Sequence, residues 1–399
     1  MNNWANFIFT TLLDLSKRRC RVGGEIYTSK IMNILIISNC PLEINQGSGY
    51  VICGFAQGMQ TRGHLVDIYG PEKFIIARRI NRLKRLRLFI GYTLTAISEA
   101  WNGRKEYDII ELWGGVGWLA CLILTKIKLG NYKVISRSNG IEPHYRKRSL
   151  LKTKINSFEK ILGIINNITD WIGFNNADLL TVVSKYDEEF LLNSSYQGKA
   201  RILVLENPLP DNWLLQTKRT TDKVFRIGFV GSWIERKGSE QLSDIINSLY
   251  QIGSTCEWII AGVGEDGKKD IIGKTGISAE KIYEQVGREN LKSLYNDMTI
   301  LLCLSSYESF GMVCSEAMAC GCILVSTNVG FANGLINNIE YILVDRDRTD
   351  EVATKLRDIE KRTNEYKSIG INGQIRVQQL TWRNIVEALE KHYINLISQ

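Results

Sequence analysis

The strongest constraint on this chain is a plan that occurs twice. Met32–Asn39 (MNILIISN) is a short run rich in β-branched residues. It is followed by a loop holding Gly47, Ser48 and Gly49, and then by Val51, Phe55 and Met59 at helical spacing. Phe225–Val230 (FRIGFV) opens the same way: Gly231-Ser232, then Arg236-Lys237-Gly238, then apolar Leu242, Ile245 and Leu249. A strand, a glycine-bearing loop and a helix form the opening unit of a doubly wound α/β sheet. Two such openings, about 190 residues apart, predict two domains of that kind in tandem.

Further β-type runs fill both halves. They fall at Val66–Tyr69, Asp108–Leu112, Tyr132–Ser136 and Leu179–Val183, and then at Glu257–Ala261, Lys281–Glu284, Ile300–Leu304, Ile323–Ser326 and Ile342–Val344. Their alternation with helical stretches argues for parallel sheets and two Rossmann-like domains. Pro208, Pro210 and the polar run TKRTTDK interrupt the pattern, placing the linker at Glu206–Lys223. The expected division is 1–206, 207–381 and a final helix over 382–399 that packs back on the first domain. The first 31 residues read as an extension, with Met32 as an alternative start.

Composition removes several classes. Of 399 residues, 44% are hydrophobic and 23% charged, which excludes disorder, collagen and coiled coil. A net charge of +8 is too modest to argue for nucleic acid. The longest apolar run, Leu112–Leu124, is broken by three glycines and falls short of the roughly 20 residues that cross a membrane. The 9 cysteines form no C-x-x-C pair and several lie in apolar runs, as buried thiols of a reducing cytoplasm do. Three scattered histidines build no zinc site. Phe74–Ile90 (FIIARRINRLKRLRLFI) carries six basic residues and no acid. It reads either as a helix resting on an anionic membrane surface or as a solvated helix with its apolar face on the core.

The richest segment is Tyr307–Gly321 (YESFGMVCSEAMACG). An apolar strand ends at Ser305-Ser306, Glu308 sits in the loop, Gly311 permits a tight turn, and a helix runs from Met312 to its cap at Gly321. The N–H groups of Met312 and Val313 would then point from a helix N-terminus, a natural seat for phosphate. Glu308 and Glu316 flank that seat and would hold sugar hydroxyls on either side of a pyrophosphate. Arg236 and Lys237, at a second loop–helix junction, are placed to neutralise a leaving diphosphate.

This segment resembles the Glu-x7-Glu signature of retaining glycosyltransferases of the GT-B fold, family four, and the resemblance runs from Met32 to about Glu387. It implies an N-terminal acceptor-side domain facing a C-terminal nucleotide-sugar domain. Glu308 would contact the transferred sugar and Glu316 the ribose, with Phe310, Gly311, Met312 and Val313 lining sugar and diphosphate. Lys237 matches the family's lysine, while Ser232 stands where an arginine is usual, leaving Arg236 to take that role. Gly47, Ser48 and Gly49 resemble the loop that approaches the diphosphate across the cleft. Asn139-Gly140 stands where many relatives carry His-Gly beside the reacting sugar. Val286 and Arg288 would neighbour the nucleotide base. The implied reaction moves a sugar from a nucleotide-diphosphate donor to a saccharide or lipid-linked acceptor, in polysaccharide or glycolipid assembly. It calls for no metal or other cofactor and suits a cytoplasmic or peripheral membrane location.

Two motifs point elsewhere. Gly262–Gly267 (GVGEDG) spells the dinucleotide fingerprint, but KKDIIGKTG after it is polar and broken by Gly273 and Gly276, so no helix is expected. Asp345-Arg346-Asp347 spells a metal signature and reads as a solvated turn. An epimerase acting on nucleotide sugars and an NAD-dependent oxidoreductase are the alternatives.

Overall fold

The computed structural model describes residues 30–43, 47–74, 84–102, 106–128, 130–150, 157–194, 200–214 and 224–399. The extension up to residue 29 and the centre of the basic stretch, 75–83, lie outside the described residues.

The chain builds two six-stranded sheets. The first holds β1 (Asn33–Ile37), β2 (Leu65–Tyr69), β3 (Ile109–Trp113), β4 (Lys133–Arg137), β5 (Leu179–Val182) and β6 (Arg201–Val204), in the order β2-β1-β3-β4-β5-β6. The second holds β7 (Arg226–Val230), β8 (Glu257–Ala261), β9 (Ile282–Tyr283), β10 (Ile300–Cys303), β11 (Ile323–Ser326) and β12 (Ile342–Leu343), in the order β12-β11-β10-β7-β8-β9. Each strand pair runs parallel. Helices cover both faces, so β1, β3 and β10 are buried along almost their whole length without alternation. The sequence reading passes over β6, a four-residue strand that opens on an arginine.

In each sheet the order reverses beside the domain's first strand, between β1 and β3 and between β7 and β10. Loops leaving such neighbours diverge to opposite faces and open a crevice at the strand C-termini. The loops after β4 and β10 touch, so the two crevices face each other across one cleft.

One expectation is corrected. Gly264–Thr275 is a helix despite its glycines. Gly273 sits on an open side with no atom within 4 Å of a would-be Cβ, so it costs only about 1 kcal/mol of helix propensity. The exposed pairs Lys269–Glu265 and Lys274–Asp270 bridge successive turns, and Gly276 closes the helix at φ 69°. GVGEDG therefore does connect a strand to a helix. It follows β8, however, one strand away from the reversal between β7 and β10 where a nucleotide sits in such sheets.

The helix Trp382–Ile397 belongs to the first domain's core. Trp382 packs edge-on against Phe55 at 5.4 Å and donates to Tyr50 Oη at 3.2 Å. The helix Gly47–Thr61 meets it at Gly54 and Gly58, where a Cβ would lie 2.1 Å from Trp382 and 2.6 Å from Val386. Tyr393 Oη donates to the buried Glu111 at 2.6 Å, and Glu111 also holds the buried Arg137 at 3.2 Å. Glu390 accepts from Arg62 at 2.6 Å and is hydrogen-bonded to His64 at 2.9 Å. The chain crosses between domains twice, and the crossings are bonded: Leu209 N donates to Leu380 O at 2.7 Å.

Among the described residues no helix is long and apolar enough to cross a membrane, and the eight described cysteines are free thiols.

Candidate active site

The site grows from the C-terminal ends of β7 and β10. β10 delivers Ser305, whose Oγ donates to Glu308 Oε1 at 2.6 Å. Lys237 Nζ reaches the same oxygen at 2.5 Å, and both partners of this ion pair are largely buried. The two loops that carry the pair are clamped together. Gly238, at φ 89°, lies so close to Leu304 that a Cβ would stand 2.5 Å from the leucine's own. Ser306 N donates to Arg236 O at 2.8 Å, and Arg236 Nη1 to Tyr307 O at 3.0 Å. Gly311 then turns the chain at φ 86° into the helix Met312–Ala319, whose first N–H groups have no partner within the helix.

Arg346 corrects a second expectation. Its flanking aspartates are exposed, as a solvated turn requires, but Arg346 itself is buried. It donates to Glu235 O at 2.9 Å, Arg236 O at 3.3 Å and Gln241 Oε1 at 2.7 Å, and so holds the Arg236–Lys237 turn from beneath. The described residues contain no cluster able to hold a metal ion.

The remaining residues of the sequence reading scatter around this centre. Glu316 is buried and accepts from Tyr295 Oη at 3.3 Å. The Phe310 side chain turns into the core against Phe331, with ring centroids 5.2 Å apart, so it lines no cleft surface. This corrects its expected place at the sugar and diphosphate: a Phe inside a Gly-flanked turn lies on whichever side has apolar neighbours. Ser232 is exposed after β7, and Val286 is half-buried after β9. Arg288 opens the helix Arg288–Asp297, but its side chain lies outside the described residues. Gly47, Ser48 and Gly49 begin the helix after β1, with Gly49 wedged against Pro41 and Glu43.

Across the cleft, the loop after β4 touches the Glu308 loop. A Cβ on Gly140 would lie 2.8 Å from that of Ser309, which brings Asn139 beside it. Ser184 Oγ donates to Ser309 O at 2.6 Å. Tyr307 Oη donates to Asp187 Oδ1 at 3.3 Å, an oxygen also bonded to His144 Nδ1 at 2.8 Å. All three side chains are buried, and His144 stacks on Phe190 at 4.1 Å. Burial raises the Asp187 carboxyl, while His144 pulls it back. Sequence reading misses this latch. The Ser184-x-x-Asp187 spacing does mark a helix start, but nothing in it names a partner in another domain.

Two polar atoms on this side are buried without a partner, Asn139 Oδ1 and Glu142 Oε2. The other Glu142 oxygen accepts from Gly115 N at 2.9 Å. Burial, then the neighbouring Asp170, push the Glu142 carboxyl up to about 7 against the pull of that N–H. Asp170 is itself raised by burial and restrained by Arg146.

Two facing parallel-sheet domains, with the charged centre in the cleft between their strand ends, make this a protein of the GT-B fold. Residues 214–376 match the family described as Glycosyl transferases group 1. An uncharacterized glycosyltransferase of Methanocaldococcus jannaschii is 25% identical over 224 residues, covering 55% of this chain and 60% of that protein. The match thus spans less than two thirds of that relative's length. A human phosphatidylinositol N-acetylglucosaminyltransferase subunit is 27% identical over 377 residues, 84% of this chain and 76% of its own. Among solved structures, sucrose-phosphate synthase from Thermosynechococcus elongatus superposes with TM-score 0.74 at 16% identity, covering 92% of this chain and 99% of its own.

Proposed function

We propose that the chain is a retaining glycosyltransferase that moves a sugar from a nucleotide-diphosphate donor to an acceptor hydroxyl, in polysaccharide or glycolipid assembly at the cytoplasmic face of a membrane. The observation that carries this reading is the Lys237–Glu308 pair, largely buried beside the Met312–Ala319 helix N-terminus at the reversal of the second sheet. A cation, a carboxylate and open backbone N–H groups converge there, the set a diphosphate ester with a sugar attached requires. The human relative's name pairs a sugar donor with a lipid acceptor, which supports the lipid-linked alternative among acceptors.

In this reading the diphosphate rests on the N–H groups of Met312 and Val313. Lys237 and Arg236 stabilise the charge that develops on it as the glycosidic bond breaks. Lys237 has three donors and spends one on Glu308, so it can hold carboxylate and phosphate together. Glu308 and Asn139 face the transferred sugar and Glu316 the ribose, with Gly47–Gly49 and Ser232 at the diphosphate and Val286 and Arg288 at the base. Gly311 contributes its turn, and Phe310 only its backbone. Excluding water from the closed cleft limits donor hydrolysis.

A thermal-shift screen of the purified chain against UDP, GDP, ADP and NAD tests the donor site. Stabilisation by one nucleoside diphosphate, lost in Lys237→Ala, is the expected result. Stabilisation by NAD alone overturns the reading.

A further inference from the structure

Cys303 ends β10, and Cys314 is the third residue of the helix Met312–Ala319. Both are buried in one apolar cluster, and between them they bracket the loop that carries Ser305, Glu308 and Gly311. Other buried cysteines spend their S–H on the backbone: Cys121 donates to Gly173 O and Cys322 to Tyr295 O, each at 3.2 Å. Cys303 does not. Its Sγ donates to Ser305 Oγ at 3.8 Å, and that hydroxyl donates in turn to Glu308 Oε1 at 2.6 Å. From the other side, Cys314 Sγ lies 3.7 Å from the point where a Gly311 Cβ would stand, and Glu308 Cβ lies 3.5 Å from that point. The two thiols therefore sit at the foot of the Lys237–Glu308 pair.

They are not equivalent. A hydrogen bond from Cys314 draws the Cys303 thiol below its ordinary value against burial, and Lys237 helps. The same bond, then burial, pushes the Cys314 thiol well up. One sulfur with thiolate character beside one that keeps its proton is the arrangement in which the first reacts and the second resolves. A water-sized cavity lined by Lys237, Cys303, Ser305 and Val313 gives a small oxidant a seat against the reacting sulfur.

We propose that Cys303 and Cys314 are an oxidisable dithiol, which a peroxide converts to a disulfide beneath the Glu308 loop. The Cys303 sulfur attacks one oxygen of hydrogen peroxide: an S–O bond forms, the O–O bond breaks, and the other oxygen leaves as water with the thiol proton. The Cys314 sulfur then attacks the Cys303 sulfur: the S–S bond forms, the S–O bond breaks, and a second water carries off the Cys314 proton. Both sulfurs are oxidised, the peroxide is reduced to two waters, and a thiol reductant reverses the change. Bonded sulfurs stand about 2.05 Å apart, so the bond draws the start of the helix onto the strand end and removes the S–H that Ser305 accepts. Glu308 and the N–H groups of Met312 and Val313 shift with it. The bond does not depend on the proposed function; its effect on donor binding rests on that reading.

Peptide mapping of the full chain tests it. The folded protein is treated with millimolar hydrogen peroxide, alkylated, and digested without reductant for mass spectrometry. The expected result is a joined Cys303–Cys314 peptide pair, lighter by two hydrogens than the separate thiols, that dithiothreitol parts again. In Cys314→Ala no joined pair forms, and Cys303 goes on to the sulfinic acid. Oxidation should also cut the thermal shift with UDP, GDP or ADP, whichever stabilises the reduced chain, at least twofold, and dithiothreitol should restore it. If no nucleotide shifts the reduced chain yet the joined pair forms, the donor site falls and the dithiol stands. Cys303 and Cys314 left as separate thiols while the half-buried Cys40 or Cys53 oxidises, or joined only after unfolding in urea, overturns the inference.

Discussion

The two strand ends that meet across the cleft are built in opposite ways. On the β10 side, Glu308 is held by Lys237 and Ser305, Arg236 by the Tyr307 carbonyl, and the turn beneath by Arg346. On the β4 side, Asn139 Oδ1 and Glu142 Oε2 are buried with nothing to bond, and two carboxyls, Glu142 and Asp170, crowd one corner. A satisfied network is rigid, and an unsatisfied buried polar group costs about 1–3 kcal/mol. The β10 half is therefore the more nearly satisfied of the two, with Arg346 Nε its one unpartnered atom among these side chains. The facing half carries a cost that any ligand group able to hydrogen-bond there would relieve.

The sharpest way to break this contrast is at Lys237. Lys237→Ala leaves the largely buried Glu308 without its cation and, on the proposed function, turnover should fall by about 10²–10³. Glu308→Gln should lower turnover by a similar factor yet keep the nucleotide thermal shift; comparing kcat with donor affinity in the two variants checks this. Loss of donor affinity alone in Glu308→Gln would count against its place at the sugar.

The next effect is smaller and lies on the opposite side. Glu142 binds its proton more tightly folded than unfolded, so its contribution to stability is full below about 4.5. It declines as pH rises to about 7 and is flat above that. Glu142→Gln removes this slope while keeping an oxygen for Gly115 N. Unfolding free energy measured from pH 5 to pH 8 should show the variant gaining on the wild type, by no more than about 3 kcal/mol. Parallel curves would show that the Glu142 carboxyl does not titrate in this range.

The smallest effect joins the two halves. Tyr307→Phe keeps the ring against His144 but removes the bond to Asp187, and should cost about 1 kcal/mol of stability. Because Tyr307 adjoins Glu308, kcat should fall several-fold while the donor KM holds. A drop in stability with kcat untouched would make the latch purely structural.

The sequence made the strand–loop–helix openings and the Glu308 loop readable because their signals are local: apolar runs, glycines at turns, a helix after Gly311. What it hid depends on packing. β6 is four residues long and pairs at a sheet edge. Gly273 forecasts a break only where a side chain is needed, and its outward face needs none. Arg346 looked solvated because its neighbours are; its own direction follows from the Glu235–Arg236 carbonyls 110 positions away. His144 and Asp187, 43 residues apart, meet Tyr307 only once both domains have folded.

The helix Trp382–Ile397 has a consequence for the order in which the molecule is completed. The face of Gly47–Thr61 that includes Gly54, Phe55 and Gly58 is covered by residues made only after the whole second domain. During synthesis the first domain therefore emerges early but waits, with an apolar groove open and Glu111 lacking Tyr393, until the second domain is finished. A nascent chain of this kind is exposed to aggregation or chaperone capture for the full interval. Cutting at the linker would free a first domain that lacks part of its own interior.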